Sequence, residues 1–271
     1  MRVKTFLLTF ALLIGGTFTV FAQSDNKNDT KNNPPEPVEL AKKGSVTGEQ
    51  VAESSILVYS GLRGRPSLNQ VRKTTVELGK MKLVDAEGKT NNAIYERRIL
   101  RADSLDKEKI RFDQKYPNAE FALIYDGDKV FGVFNDSVFT PREDAAAAFQ
   151  NQIWHGVEAL LRYKENGSKV TLEKEDKIMG VDYFVVNVTD KENRTTKFYV
   201  SKKYLHVKML EYQQDGKKYR RKFYDYNYAQ GTLVPYRTVL WEDGKQVEET
   251  TISTITFGPT IGDELFAVDG G

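Results

Sequence analysis

The stretch Gly231–Gly258, GTLVPYRTVLWEDGKQVEETTISTITFG, decides the fold. Two runs rich in β-branched and aromatic residues flank Asp243-Gly244, a pair suited to a two-residue hairpin turn. With that loop Glu242 faces Lys245, an opposite-charge cross-strand pair, and Leu240 faces Val247 while Tyr236 faces Thr251. The other side carries Arg237, Val239, Trp241, Glu248 and Ile252. Both sides are therefore mixed, and the pattern leaves open whether Tyr236 and Leu240 or Val239 and Trp241 point inward. Pro235 belongs at a strand start or an edge, where its missing N–H does no harm.

Working back from this hairpin, the chain is strands for a hundred residues. KVTLEKE, DYFVVNVT, TKFYVS, LHVKMLEYQ and KYRRKFYDYNY follow one another through short turns, one of them Asp215-Gly216. Consecutive strands with short turns imply an antiparallel meander. KKYRRKFYDYNY (Lys217–Tyr228) alternates basic and aromatic residues and reads as a solvated outer face whose long side chains lie along the sheet. A second set of strands occupies Leu68–Asn135, with Asp126-Gly127 as a tight hairpin. Several of these strands, such as EFALIYD, are apolar on both faces.

Two helices interrupt the strands. TPREDAAAAFQNQIWHGVEALLRY (residues 140–163) has Thr140 at the N-cap position, Pro141 at N1 and Glu143 at N3. Ala145, Phe149, Ile153, Val157, Leu160 and Leu161 form one stripe along it, and Asn166-Gly167 ends it. Upstream, Thr47 and Gln50 have capping-box spacing, Val51, Ser55 and Val58 or Tyr59 share a face, and Gly61, Gly64 and Pro66 close the helix. The fold class is α+β, mainly β: a large curved antiparallel sheet, a half-open β-barrel with helices plugging its mouth. Such a sheet leaves an apolar cavity under the helix or packs solid; the pattern allows both.

Composition narrows the function. The chain of 271 residues has 40 basic and 38 acidic side chains and a net charge of +2, which does not suit a nucleic-acid binder. It contains no Cys and two His, so disulfides, thiol nucleophiles and the usual zinc sites are excluded. His155 and His206 are far apart in the chain, and VYSGL is no nucleophile elbow. The chain reads as non-enzymatic, without catalytic residues, cofactor or metal. Residues 1–22 combine Arg2 and Lys4, a short apolar run and Val20-Phe21-Ala22 before Gln23, the pattern of a cleaved secretory signal. Residues 23–46 are polar and proline-containing and read as a disordered leader, leaving a single domain over 47–267.

The order of helix, strands, ALIYDGDKVFGVFND, helix and long meander resembles the periplasmic lipoprotein-carrier family, the LolA/LolB-like group involved in outer membrane lipoprotein sorting, and the related RseB-type sensor domains. Within it, YDGDKVFGVFN (Tyr125–Asn135) resembles the family's hairpin, and TFGPTIGDELF its closing pattern. The resemblance covers most of Thr47–Phe266. It implies a half-barrel and helical lid enclosing a cavity for lipid or lipoprotein acyl chains, a periplasmic location, and handover to a membrane-bound donor or acceptor protein. The alternative it implies is a protein-interaction sensor of RseB type without lipid transfer. The family's arginine on an early strand is matched by Arg101, with Ala102 where proline is usual. The missing lipidation Cys fits a soluble carrier. Ligand contacts are expected from Arg101, from Phe121 and Phe131 on the strands, and from Phe149, Ile153, Val157 and Leu161 as the cavity roof, with Trp154 at the rim.

Overall fold

The computed structural model describes residues 46–267, residues 86 and 136 excepted. The export signal and nearly all of the leader read at residues 1–46 lie outside the described residues. Four helices carry the labels α1 (Gly48–Tyr59), α2 (Gly64–Val71), α3 (Glu143–Trp154) and α4 (Val157–Leu161). The strands before α3 are β1 (Thr74–Val84), β2 (Thr90–Leu100), β3 (Lys109–Tyr116), β4 (Ala119–Tyr125), β5 (Val130–Phe134) and β6 (Ser137–Phe139). Those after α4 are β7 (Lys169–Ile178), β8 (Val181–Thr189), β9 (Thr195–Ser201), β10 (Val207–Gln214), β11 (Lys217–Ala229), β12 (Thr232–Glu242) and β13 (Lys245–Phe257).

All thirteen strands form one antiparallel sheet in the order β6-β5-β4-β3-β2-β1-β13-β12-β11-β10-β9-β8-β7. Two meanders are joined where β1 pairs with β13, and β6 and β7 remain as free edges, so the barrel is not closed. One face of the sheet carries the helices. Its core draws Val51, Ile56 and Tyr59 of α1 and Phe149, Ile153, Leu160 and Leu161 of α3 and α4 against Phe112, Phe198, Val200 and Leu210 of the strands. Helix and strand thus bury their apolar faces on each other, and the mainly β, half-open fold read from the sequence is the observed one.

Local signals explain much of this. Thr47 and Gln50 make the reciprocal capping box, at 2.9 and 3.2 Å. Asp215-Gly216 and Asp243-Gly244 are two-residue turns with positive φ at both positions, 51° and 78°, 48° and 83°, as a hairpin with the strands' own twist requires. Pro235 sits inside β12, but pairing with β13 begins only at Arg237. Its ring therefore faces no ladder bond on that side.

Other expectations are corrected. Gly64 and Pro66 do not merely end α1; they open α2, which occupies residues read as the start of the strands. The Asp126-Gly127 loop spans four residues, with Tyr125 paired to Val130 and the Asp126 carboxylate accepting the N–H groups of Asp128 and Lys129. The long helix at 140–163 begins at Glu143, with Arg142 extended at its N-cap, because β6 and the buried Pro141 keep the preceding chain extended. It also breaks at His155-Gly156 into α3 and α4. In the Asp243-Gly244 hairpin a bulge at Val247 pairs Leu240 with Glu248 and Arg237 with Thr251. That one-residue shift moves Glu248 and Ile252 to the side of Tyr236 and Leu240.

Candidate functional site

Between α3 and the strands β1–β6 lies a cavity of about 680 Å³. Its walls are Met81 and Leu83 of β1, Phe112 and Tyr116 of β3, Phe121 and Leu123 of β4, and Ala145, Ala148 and Phe149 of α3. Strand alternation makes this wall: these side chains are every second residue, all on the helix-bearing face. Aromatic pairs stiffen it, with Phe112 stacked on Phe149 at 6.1 Å and Tyr116 on Phe121 at 5.7 Å. Gly132 lets Phe139 of the edge strand lie flat on the sheet, since a Cβ there would come 2.1 Å from the Phe139 ring. Phe134 and Phe139 stay 45% and 40% exposed at the rim, an apolar mouth opening to solvent beside the sheet edge. The volume falls in the range of roughly 300–1,000 Å³ usual for small-molecule sites.

Behind Phe149 and Gln152 a second chamber of about 200 Å³ continues inward, sharing Phe149, Gln152 and Glu248 with the first. Tyr236, Thr238, Thr250 and Ile252 line it, so the Tyr236 and Leu240 side of the hairpin is the inward one. Val239 and Trp241 face outward, where Lys222 lies 5.2 Å from the Trp241 ring. The chamber's walls also carry Arg97 and Arg221 and the carboxylates of Glu77 and Glu248.

At the inner end a buried ion cluster anchors α4. Glu158 of α4 takes Arg72 at 2.6 Å and Arg101 at 2.9 Å, and Glu108 takes Arg101 at 3.1 Å and also Arg162. Arg101 further donates to the Arg72 carbonyl at 2.8 Å. Burial works against the Glu158 carboxylate, but Arg101, Arg72 and Arg162 outweigh it and hold its pKa at about 2. Burial pushes Glu108 the other way, upward, against the pull of Arg101 and Arg162. Three guanidinium groups on two carboxylates thus fix α4 to the end of the sheet. α3 is held differently, by apolar contact and an Arg97 to Gln152 hydrogen bond of 3.1 Å.

The expected contact residues separate into groups. Phe149 faces both cavities, Phe121 lines the outer one, and Ile153, Val157 and Arg101 line the inner one. Leu161 is fully buried beneath α4 in the core. Phe131 pairs with Ile124 on the opposite face of the sheet. Trp154 turns away from both cavities, edge-on to Tyr125 at 6.0 Å with Arg194 over its ring at 4.4 Å. The strand read as an outer basic face divides: Lys222 goes outward, whereas Arg221 and Phe223 line the inner chamber. Sequence reasoning missed Arg221, Glu248 and the β1 residues Met81 and Leu83 as cavity residues. For Met81 and Leu83 the alternation itself was the signal.

The two histidines belong to the core. His155 shares a 2.6 Å hydrogen bond with Thr196 and stacks on Tyr212 at 4.0 Å, and His206 stacks on Tyr226 at 4.1 Å. Among the described residues, no group of three His, Cys, Asp or Glu side chains is placed to hold a metal ion. No helix of the described residues is long and apolar enough to cross a membrane.

An open antiparallel half-barrel with helices over an apolar cavity defines a LolA-like fold. Known structures agree. A LolA superfamily protein from Nitrosomonas europaea superposes with a TM-score of 0.58 at 12% identity, covering 83% of this chain and 99% of its own. An outer membrane lipoprotein-sorting protein domain from Vibrio parahaemolyticus gives 0.57 at 14%, covering 81% and 97%. A DUF1329 family protein from Desulfovibrio piger gives 0.58 at 12%, covering 81% and 97%. No protein-family profile matches the sequence, and no curated protein matches it. The likeness is one of fold.

Proposed function

We propose that the protein is an exported, non-enzymatic carrier that takes an acyl chain or similar apolar ligand into the cavity beneath α3. The observation that carries this is the cavity itself: about 680 Å³, walled mainly by aliphatic and aromatic side chains and open at an apolar rim. A lipid tail needs no specific polar contact there, because each methylene taken from water contributes about 0.8 kcal/mol. The fold shared with a LolA superfamily protein and a lipoprotein-sorting domain supports the reading, and the export signal read at residues 1–22 supports a periplasmic location.

The lid mechanism follows from the unequal anchoring of the two helices. α4 is held by ion pairs at its Glu158, while α3 rests on the sheet largely through Phe149 and Ile153. α3 swings about the His155-Gly156 junction, the tail slides in past Phe134 and Phe139, and α3 closes over it. Handover to a membrane-bound acceptor reverses the motion. Displacement of a fluorescent fatty acid by a series of alcohols of increasing length tests this. Affinity rises about fourfold per methylene until the cavity is full, then levels off. No displacement, or no dependence on length, refutes it. A stoichiometric protein partner recovered without lipid favours a sensor of RseB type instead.

A further inference from the structure

Arg221 of β11 and Glu248 of β13 both pair in register with Leu240 of β12, so their side chains rise on either side of it on the inner face. Both line the inner chamber, and Glu248 also lines the apolar cavity, which places the pair where the two meet. Their side chains are 12% and 10% exposed, yet the closest approach of guanidinium to carboxylate is 3.7 Å, longer than a hydrogen bond. The Arg97–Glu77 pair is also wide, at 3.6 Å, but there Arg97 donates to Gln152 at 3.1 Å and Glu77 accepts from the Tyr95 hydroxyl at 2.7 Å. In the α4 anchor, by contrast, Arg72 and Arg101 close on Glu158 at 2.6 and 2.9 Å. Desolvated charges that fall short of direct bonding are costly unless another group completes them.

We propose that the inner chamber is a head-group subsite for a single-chain amphiphile whose head is net neutral and both donates and accepts hydrogen bonds, such as a glycerol ester, with its tail in the apolar cavity. The inference rests on the carrier reading and adds the chemistry of the head. Arg221 offers up to five N–H donors and Glu248 only acceptors, so a hydroxyl-bearing ester satisfies both at once. The wall charges balance, with Arg72, Arg97, Arg101 and Arg221 against Glu77, Glu108, Glu158 and Glu248. An anionic head would bring an uncompensated negative charge beside Glu248, and a cationic head the same beside Arg221. A bare hydrocarbon would leave both unsatisfied. At about 200 Å³, the chamber has space on the order of six or seven waters at about 30 Å³ each, which suits a small head.

The test compares four ligands with the same eighteen-carbon skeleton on the full protein: 1-mono-oleoylglycerol, oleate, oleylamine and octadecene (about eighteen carbons each, matching tails that differ chiefly in the head). Monooleoylglycerol displaces a fluorescent probe at about one-tenth the concentration of the others, the effect of hydrogen bonds to charged groups. The double substitution Arg221→Gln/Glu248→Gln removes that advantage and leaves octadecene unchanged. Equal affinity of all four ligands in the unaltered protein overturns the head subsite while the carrier reading stands. Preference for oleate or oleylamine overturns the neutral head. Failure of all four to bind overturns both readings. The ranking in the unaltered protein decides the matter even where the variant does not fold.

Discussion

Mild acid should destabilise this protein through its two histidines, before the Glu158 carboxylate is protonated. Burial, aided by Arg194, depresses the His155 pKa to about 4, and burial with Lys208 nearby does the same for His206. The Nε2 atom of each ring is buried without a hydrogen-bond partner, so a proton added there would find no acceptor. The unfolded chain has ordinary values near 6.5. The folded state therefore binds fewer protons, and stability is complete above pH ~6.5 and lost as the pH falls toward ~4. Between about pH 7.5 and about pH 5 each histidine contributes about 2 kcal/mol of this loss, about 4 together. Glu158, with its pKa held at about 2, loses its contribution only below its unfolded value of about 4.5, so the two windows separate. Urea unfolding at the two pH values measures the effect, and repeating it on His155→Phe/His206→Phe isolates its source, since phenylalanine keeps the ring stacks. An unchanged midpoint in the parent protein, or the same pH dependence in the double variant, refutes the reasoning.

Three other outcomes are expected. Arg101→Met leaves Glu108 and Glu158 short of a partner and lowers the unfolding free energy by about 3–5 kcal/mol, read from urea melts; an unaltered melt would show that the cluster does not tie α4 to the sheet. Ala148→Trp places an indole in the outer cavity from an exposed position on α3, so probe binding falls at least about tenfold, while stability changes by less than about 1 kcal/mol as for other surface sites; undiminished binding places the ligand elsewhere. Gly79→Ala drives a Cβ to 2.5 Å from the Thr251 carbonyl and 2.6 Å from the Tyr95 ring, costing about 1–3 kcal/mol in thermal or urea unfolding, and an unperturbed midpoint would mean that β1 shifts freely.

What could be read from the sequence was what neighbouring residues determine among themselves. The Thr47–Gln50 box and the Asp215-Gly216 and Asp243-Gly244 turns are short-range hydrogen-bond and backbone choices, and they form as written. The alternation of the strands and the stripe on residues 145–161 specified an antiparallel sheet with helices on one face, hence the fold. Tertiary structure decided which face, and where the pattern slips. The bulges at Val247 and Ser253 add single residues to β13 against its neighbours, and a slip of one residue exchanges the two faces of a strand. Nothing local marks such a slip, because both registers satisfy the same turn. It is the packing of β1 and β12 on either side of β13 that selects one, and with it brings Glu248 inward opposite Arg221. The break between α3 and α4 has the same origin. His155 leaves the helical path to stack on Tyr212, and Glu158 turns to meet arginines that lie more than fifty residues away in the chain.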